Sequence, residues 1–250
     1  MHARTTVMAV ANQTTNNAVI YHVQDLVKEY HMGEVTVQAL RGVTLDVREG
    51  EFLVILGHSG SGKSTLLNIM GGLDTPTSGR VTYRNEELTE YTERELTEYR
   101  RHHIGFVFQF YNLMPSLTAR ENVEMATEIS EHPMKPKEAL KLVGLDTRAD
   151  HFPSQMSGGE QQRVAIARAV AKGPHILLCD EPTGALDVAT GKIVLQVLAD
   201  INERTKTTLV VITHNAVIGE LADRVVRMQD GQVQDIQVNT TRKGVDEVEW

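Results

Sequence analysis

The chain has 250 residues, and 41% of them are apolar, enough to bury a sizeable core in one large domain or two small ones. Its formal net charge of −8 argues against a general nucleic-acid binder, which is usually basic. One cysteine, Cys179, cannot form an internal disulfide, no apolar run approaches the roughly 18 residues that span a bilayer, and the opening apolar patch from Val7 to Ala11 is too short for a signal-peptide core. A cytosolic location is therefore expected, with any membrane role exerted through a separate membrane protein.

Residues 1–18, rich in Thr, Asn and Ala, read as a disordered arm. Strand-like runs follow at 19–23, 43–47, 52–56, 104–108, 176–179 and 209–212. The last two are continuously apolar, as strands buried on both faces of a parallel sheet are. Helical stretches are expected at 63–71, 160–171 and 192–204, and this alternation predicts an α/β fold with a parallel core sheet. The stretch from about 112 to 150 is more polar, helix-like and carries Pro115, Pro133 and Pro136. Together with the segment to about 172 it reads as a helical subdomain inserted into a domain spanning 19–238. Residues 239–250 read as a solvated C-terminal tail.

Gly57-His58-Ser59-Gly60-Ser61-Gly62-Lys63-Ser64-Thr65 matches the phosphate-loop pattern G-x-x-x-x-G-K-[ST], with a predicted strand before it and a helix after it. Glycines let backbone N–H groups turn around phosphate oxygens, and the helix N-terminus adds partial positive charge. Lys63 can reach the β- and γ-phosphates and the Ser64 hydroxyl can ligate Mg²⁺. The apolar run His175 to Cys179 ends in Asp180 and Glu181. Asp180 is the candidate Mg²⁺ holder and Glu181 the candidate general base for water. Cys179 reads as a small buried apolar residue.

At this point the chain resembles the ABC-type ATPase family over nearly all of residues 19–238. The deciding segment is Met156-Ser157-Gly158-Gly159-Glu160-Gln161-Gln162-Arg163, similar to that family's L-S-G-G-Q signature and departing from it at Met156 and Glu160. Serine and two glycines opening a helix form a second anion-binding nest. The resemblance implies a P-loop NTPase core with a mostly parallel sheet, an antiparallel β part and an inserted helical subdomain. It implies ATP and Mg²⁺ as ligands, and a head-to-tail dimer in which Ser157, Gly158, Gly159 and Glu160 of one copy cap the ATP held by the other. Gln109 matches the family's Q-loop glutamine, which senses Mg²⁺ and the attacking water. Asp187, in Gly184-Ala185-Leu186-Asp187, matches the D-loop that crosses the dimer seam. His214 matches the switch histidine, and Tyr30 the aromatic that stacks on adenine, with Tyr21 as another nearby aromatic. His58 stands where proline is common, and only backbone geometry is demanded there.

Two functional classes compete: the motor of a membrane complex, and a soluble ABC ATPase acting on nucleic acid or ribosomes. The interval between phosphate loop and signature holds no sustained heptads, and the chain carries one set of motifs, which favours the transporter reading without nucleic acid as a partner. Residues 71–79 (Gly71-Gly72-Leu73-Asp74-Thr75-Pro76-Thr77-Ser78-Gly79), 108–115, 118–123 and 180–187 are similar to the MacB/LolD subgroup, implying a MacB- or FtsX-like permease as partner and a peripheral place on the inner face of the cell membrane. Phe110, Tyr111, Leu113, Met114 and Leu117, directly after Gln109, are the candidate docking residues. The basic cluster Arg100-Arg101-His102-His103 reads as a solvated helix end or as a contact for an anionic partner.

Overall fold

The structure, a computed structural model, describes residues 18–249; the expected arm, apart from Ala18, and Trp250 lie outside the described residues. The chain enters through β1 (Val19–Met32), β2 (Val35–Arg48) and β3 (Phe52–Leu56), then α1 (Lys63–Met70), β4 (Ser78–Tyr83) and β5 (Glu86–Glu87). Next come α2 (Glu93–His103), β6 (Ile104–Val107), α3 (Ala119–Thr127), α4 (Pro136–Leu142) and α5 (Gly158–Ala171). β7 (Ile176–Asp180), α6 (Val188–Thr205), β8 (Thr208–Thr213), β9 (Arg224–Gln229) and β10 (Gln232–Val238) complete it.

Two sheets form. One is antiparallel, in the order β2-β1-β4-β5. The other, in the order β10-β9-β3-β8-β7-β6, is parallel except for the β9–β10 hairpin. The parallel strands are buried on both faces, and their alternation divides the core. Phe52, Val54, Leu177, Cys179, Leu209 and Val211 face one cluster with α3, α4, α5 and α6. Leu53, Ile55, Ile176, Leu178, Val210 and Ile212 face the other, where α1 and the antiparallel sheet supply Leu66, Leu67, Met70, Tyr21 and Val23. This arrangement brings the C-terminal ends of β3, β7 and β8 to one edge, where an open α/β sheet presents its ligand site.

Between β6 and β7, α3, α4 and α5 pack on one another, and α5 also packs on α6 and β6. Residues 239–249 are not a solvated tail. Val245 and Val248 are buried in the core cluster. Arg242 donates to Asp223 and Asn202, and Lys192 Nζ donates to the Val248 carbonyl at 2.9 Å. Two valines three apart in a charged segment carry no period long enough to read, yet both find apolar partners. The basic cluster ends α2 and is only partly solvated. Arg100 caps the Gly72 carbonyl, and the His103 ring stacks on His175 with centroids 5.0 Å apart. Burial, reinforced by His175, pushes the His103 pKa down to about 4.

Candidate functional site

A cleft of about 830 Å³ at that sheet edge is lined by Tyr30, Val37, Gln38, Ala39, residues 58–65, Gln109, Asp180, Glu181 and His214. The sequence-predicted Gly57 sits behind it, where a Cβ would lie 2.4 Å from both the Met228 carbonyl and Ser61 Oγ, so only glycine lets the loop leave β3 here. Gly62 has φ +97°, a left-handed conformation that glycine adopts freely.

The residues present fit a Mg²⁺–nucleoside triphosphate. Of the helices with polar caps, α2, α3 and α5 each carry a Thr or Ser that accepts the N3 N–H, and α6 uses Asp187. α1 begins at Gly62 with no side-chain cap and no acid in its first turn, which leaves its N–H groups to an anion. The Ser61 hydroxyl beside them is buried and finds no partner among the described residues. Lys63 Nζ donates to the carbonyls of Gly57 at 2.7 Å and His58 at 2.9 Å, placing its charge within the loop. Burial pushes the Lys63 pKa down, opposed by Glu181 and Asp180.

Ser64 Oγ donates to Asp180 Oδ1 at 3.4 Å, across the gap between α1 and the end of β7. Burial raises the Asp180 pKa, Ser64 opposes it, and Glu181 raises it further, so this carboxylate gains from a cation. No group of three His, Cys, Asp or Glu side chains able to hold a metal occurs among the described residues. A hard ion here would rest on Ser64, Asp180, Gln109, phosphate oxygens and water, which is how Mg²⁺ is commonly held.

Glu181 stands at φ +45°, a conformation costly for a residue with a Cβ, and its N–H donates to the Ile212 carbonyl at 3.0 Å. Its carboxylate is held on both oxygens. Thr213 Oγ1 donates to Oε2 at 3.0 Å, and His214 Nδ1 lies 2.9 Å from Oε1. The turn therefore projects an oriented carboxylate into the cleft. Thr213 was not singled out from the sequence; its place at the end of β8, beside His214, was the available signal. Gln109 follows β6 and approaches the same turn, since a Cβ on Gly184 would lie 3.1 Å from Gln109 Nε2.

The signature residues are not in this cleft. Ser157 Oγ accepts the Glu160 N–H at 3.2 Å, and Glu160 Oε2 accepts the Ser157 N–H at 2.9 Å. Glu160 also pairs with Arg148 at 3.2 Å. The helix start that reads as an open nest thus carries its own carboxylate, whose charge Arg148 partly offsets. Asp187 lies outside the cleft as well and caps α6 through the Thr190 N–H at 3.0 Å. Gly158 and Gly159 have no room for side chains: a Cβ would meet the Tyr111 hydroxyl at 2.6 Å and Thr190 Cγ2 at 2.0 Å.

A parallel sheet whose strand ends carry an uncapped phosphate loop and an oriented carboxylate pair defines a nucleoside triphosphatase of the P-loop kind. The family model described as "ABC transporter" matches residues 40–184. The chain is 44% identical over 222 residues to the lipoprotein-releasing system ATP-binding protein LolD of Legionella pneumophila, covering 87% of this chain and 98% of that one. It is 45% identical over 233 residues to the macrolide export ATP-binding/permease protein MacB of Brucella melitensis, covering 91% of this chain but only 35% of that protein's length. The dimeric ATP-binding cassette MJ0796 in a post-hydrolysis state, bound to ADP and Pi, superposes with a TM-score of 0.80 at 44% identity, over 87% of this chain and 98% of that chain. The chain belongs to the ABC transporter family of ATP-binding subunits. It is an ATPase, with ATP as substrate and Mg²⁺ as cofactor.

Proposed function

We propose that two copies of this chain close head to tail around two ATP molecules and thereby drive a separate MacB- or FtsX-like permease from the cytoplasmic face of the membrane. One observation carries this reading. The cleft gathers the phosphate loop, Asp180, Glu181, Gln109 and His214, while Ser157, Gly158, Gly159 and Glu160 stand outside it. A second copy supplies the missing wall, as the dimeric form of the 44% identical cassette MJ0796 suggests. Among the described residues no helix is long and apolar enough to cross a membrane, which fits a motor coupled to another protein's spans.

In this reading the loop 57–65 cradles the triphosphate, and Tyr30 stacks on the base. Glu181 takes the proton of the attacking water, oriented by Thr213 and His214. His214 and Gln109 hold the water and γ-phosphate in line. Ser64, Asp180 and Gln109 would hold Mg²⁺, which would supply neutralisation of charge on the phosphate oxygens. Phe110 and Met114 are exposed and follow Gln109, so a permease helix seated on them is sensitive to the state of the cleft. Leu113 packs against the core and is not part of that surface.

The test is Glu181→Gln, which keeps the shape and loses the base. The variant is expected to bind ATP, to turn over at no more than about 1% of the parent rate, and to elute as a dimer with ATP and a monomer without it. A monomer at saturating ATP overturns the shared-site reading.

A further inference from the structure

The segment 71–79, similar to the MacB/LolD subgroup, has no part in the site as described so far. It leaves α1 in a turn in which the Leu73 and Asp74 N–H groups both donate to the Asn68 carbonyl, at 2.8 and 3.3 Å. Asp74 Oδ1 accepts the Thr75 N–H at 2.7 Å and Lys28 Nζ at 2.6 Å, and Oδ2 accepts the Tyr30 hydroxyl at 2.6 Å. Lys28 Nζ also donates to the Thr75 carbonyl at 2.7 Å and lies 4.8 Å from the centroid of the Tyr30 ring, within cation–π range. Thr65, the last residue of the phosphate loop, lies beside the same Tyr30 hydroxyl and acts to lower its pKa. Burial pushes the Asp74 carboxyl up, but hydrogen bonds from Lys28 and Tyr30 outweigh it and hold the group below the ordinary carboxylate range. Burial and the bond to Asp74 push the Tyr30 hydroxyl up. Near neutral pH the pair is a charged acceptor and a neutral donor.

Tyr30 stands near the tip of the β1–β2 hairpin, where residues 31 and 33–38 are exposed and offer its ring little packing. A tyrosine placed there without its polar anchors samples several rotamers and loses that freedom when a base stacks on it. The Asp74, Lys28 and Thr65 contacts remove most of that freedom in advance. They also tie the ring to α1, and so to the phosphate cradle, at a fixed separation.

We propose that Asp74 and Lys28 are positioning residues for the nucleobase, fixing the tilt and depth of the Tyr30 ring so that it meets the base while the triphosphate occupies the loop at 57–65. Lys28 covers one face of the ring and leaves the other for stacking. This rests on reading Tyr30 as the base-stacking side chain.

The experiment uses the full chain and compares D74A, K28M and Y30F with Y30A. Y30F keeps the ring and removes its anchor, and it leaves Asp74 bonded to Lys28 and Thr75, so it guards against a D74A variant that fails to fold. Steady-state kinetics with MgATP give KM and kcat, and inhibition by magnesium tripolyphosphate reports the phosphate cradle without a base. The expected result for D74A, K28M and Y30F is a KM for ATP raised about 5–10-fold, kcat within about twofold of the parent, and an unchanged tripolyphosphate inhibition constant. An unchanged KM for ATP in Y30F and K28M overturns the proposal. Equal weakening of ATP and tripolyphosphate also overturns it, because the contacts then support the loop as a whole. If Y30A itself leaves the KM for ATP unchanged, it is the stacking role of Tyr30 that fails.

Discussion

Gln162 offers a direct probe of how α5 supports the chemistry. It is fully buried one turn into the helix, and its Nε2 donates to the Pro182 carbonyl at 2.8 Å and the Phe108 carbonyl at 3.2 Å. Those carbonyls adjoin Glu181 and Gln109. Its own Oε1 is buried without a partner among the described residues. Gln162→Met keeps the length, removes that unpaired acceptor and leaves two carbonyls without a donor. Each orphaned carbonyl costs about 1–3 kcal/mol, and relief of the one unpaired oxygen offsets about as much as one of the two carbonyls costs. A net loss of roughly 1–3 kcal/mol follows, or about 2–12 °C in Tm for a domain of this size. The two turns it joins carry Glu181 and Gln109, and a misplacement of about 1 Å at such groups costs up to roughly a hundredfold in rate. The phosphate loop and Tyr30 are untouched. We expect kcat to fall about 10- to 100-fold and KM for ATP to change less than about twofold. Calorimetry and phosphate-release kinetics measure both. A lowered Tm with unchanged kcat would show that Gln162 supports the core and not the chemistry. A rise in KM matching any fall in kcat/KM would place its effect in binding.

Lys63→Ala should weaken ATP binding at least tenfold, since it removes the cation that Gly57 and His58 hold inside the loop; titration with a fluorescent ATP analogue measures it, and unchanged affinity would sink the assignment of the loop. Ser157→Arg should abolish hydrolysis while each copy still binds ATP, and mixing it with Lys63→Ala should restore turnover that neither has alone, because one normal loop then meets one normal signature. Arg148→Ala should weaken ATP-driven pairing of copies about 3- to 5-fold by baring the Glu160 charge, and Glu160→Gln in the same chain should restore it; sedimentation with hydrolysis blocked by Glu181→Gln reads the difference, and failure of the rescue would detach the effect from that charge.

What could be read from sequence, and what could not, follows from where each residue's partners lie. β3, β7 and β8 were legible because both faces are buried, so apolar residues run without interruption. β1 and β2 were legible only at 19–23 and 43–47. Beyond those stretches the hairpin is largely exposed, and Glu29, His31, Glu34 and Gln38 hide the alternation. β10 was missed for the same reason: it is an edge strand with nearly every side chain in solvent. α2 carried the capping box Thr92–Glu95 and could have been read from it. α6 starts at Val188, not near Lys192, because Asp187 caps it; a residue assigned to one motif was serving a second, local purpose.

The candidate site divides in the same way. Phosphate binding needs consecutive N–H groups at a helix start, so the sequence from Gly57 to Thr65 is contiguous and visible. Charge at the end of a strand is likewise local, and Asp180 and Glu181 stand out. The groups that aim those residues are distant in the chain. Thr213 lies 32 positions from the Glu181 it holds, Asp74 lies 44 from Tyr30, and Gln162 lies 20 from Pro182 and 54 from Phe108. A lone Thr, Asp or Gln has no pattern that announces such a partner. Each is recognisable only once the fold sets β8 beside β7, the turn after α1 beside β1, and α5 against the turns that carry Glu181 and Gln109. The closure of α5 by its own Glu160 is legible in principle, because Ser157-Gly158-Gly159-Glu160 is the same capping box as Thr92–Glu95, although serine and two glycines at a helix start also read as an open nest. What no pattern announces is the partner of that carboxylate: Arg148, twelve residues upstream, pairs with Glu160 and so becomes part of the electrostatics that a second copy would meet.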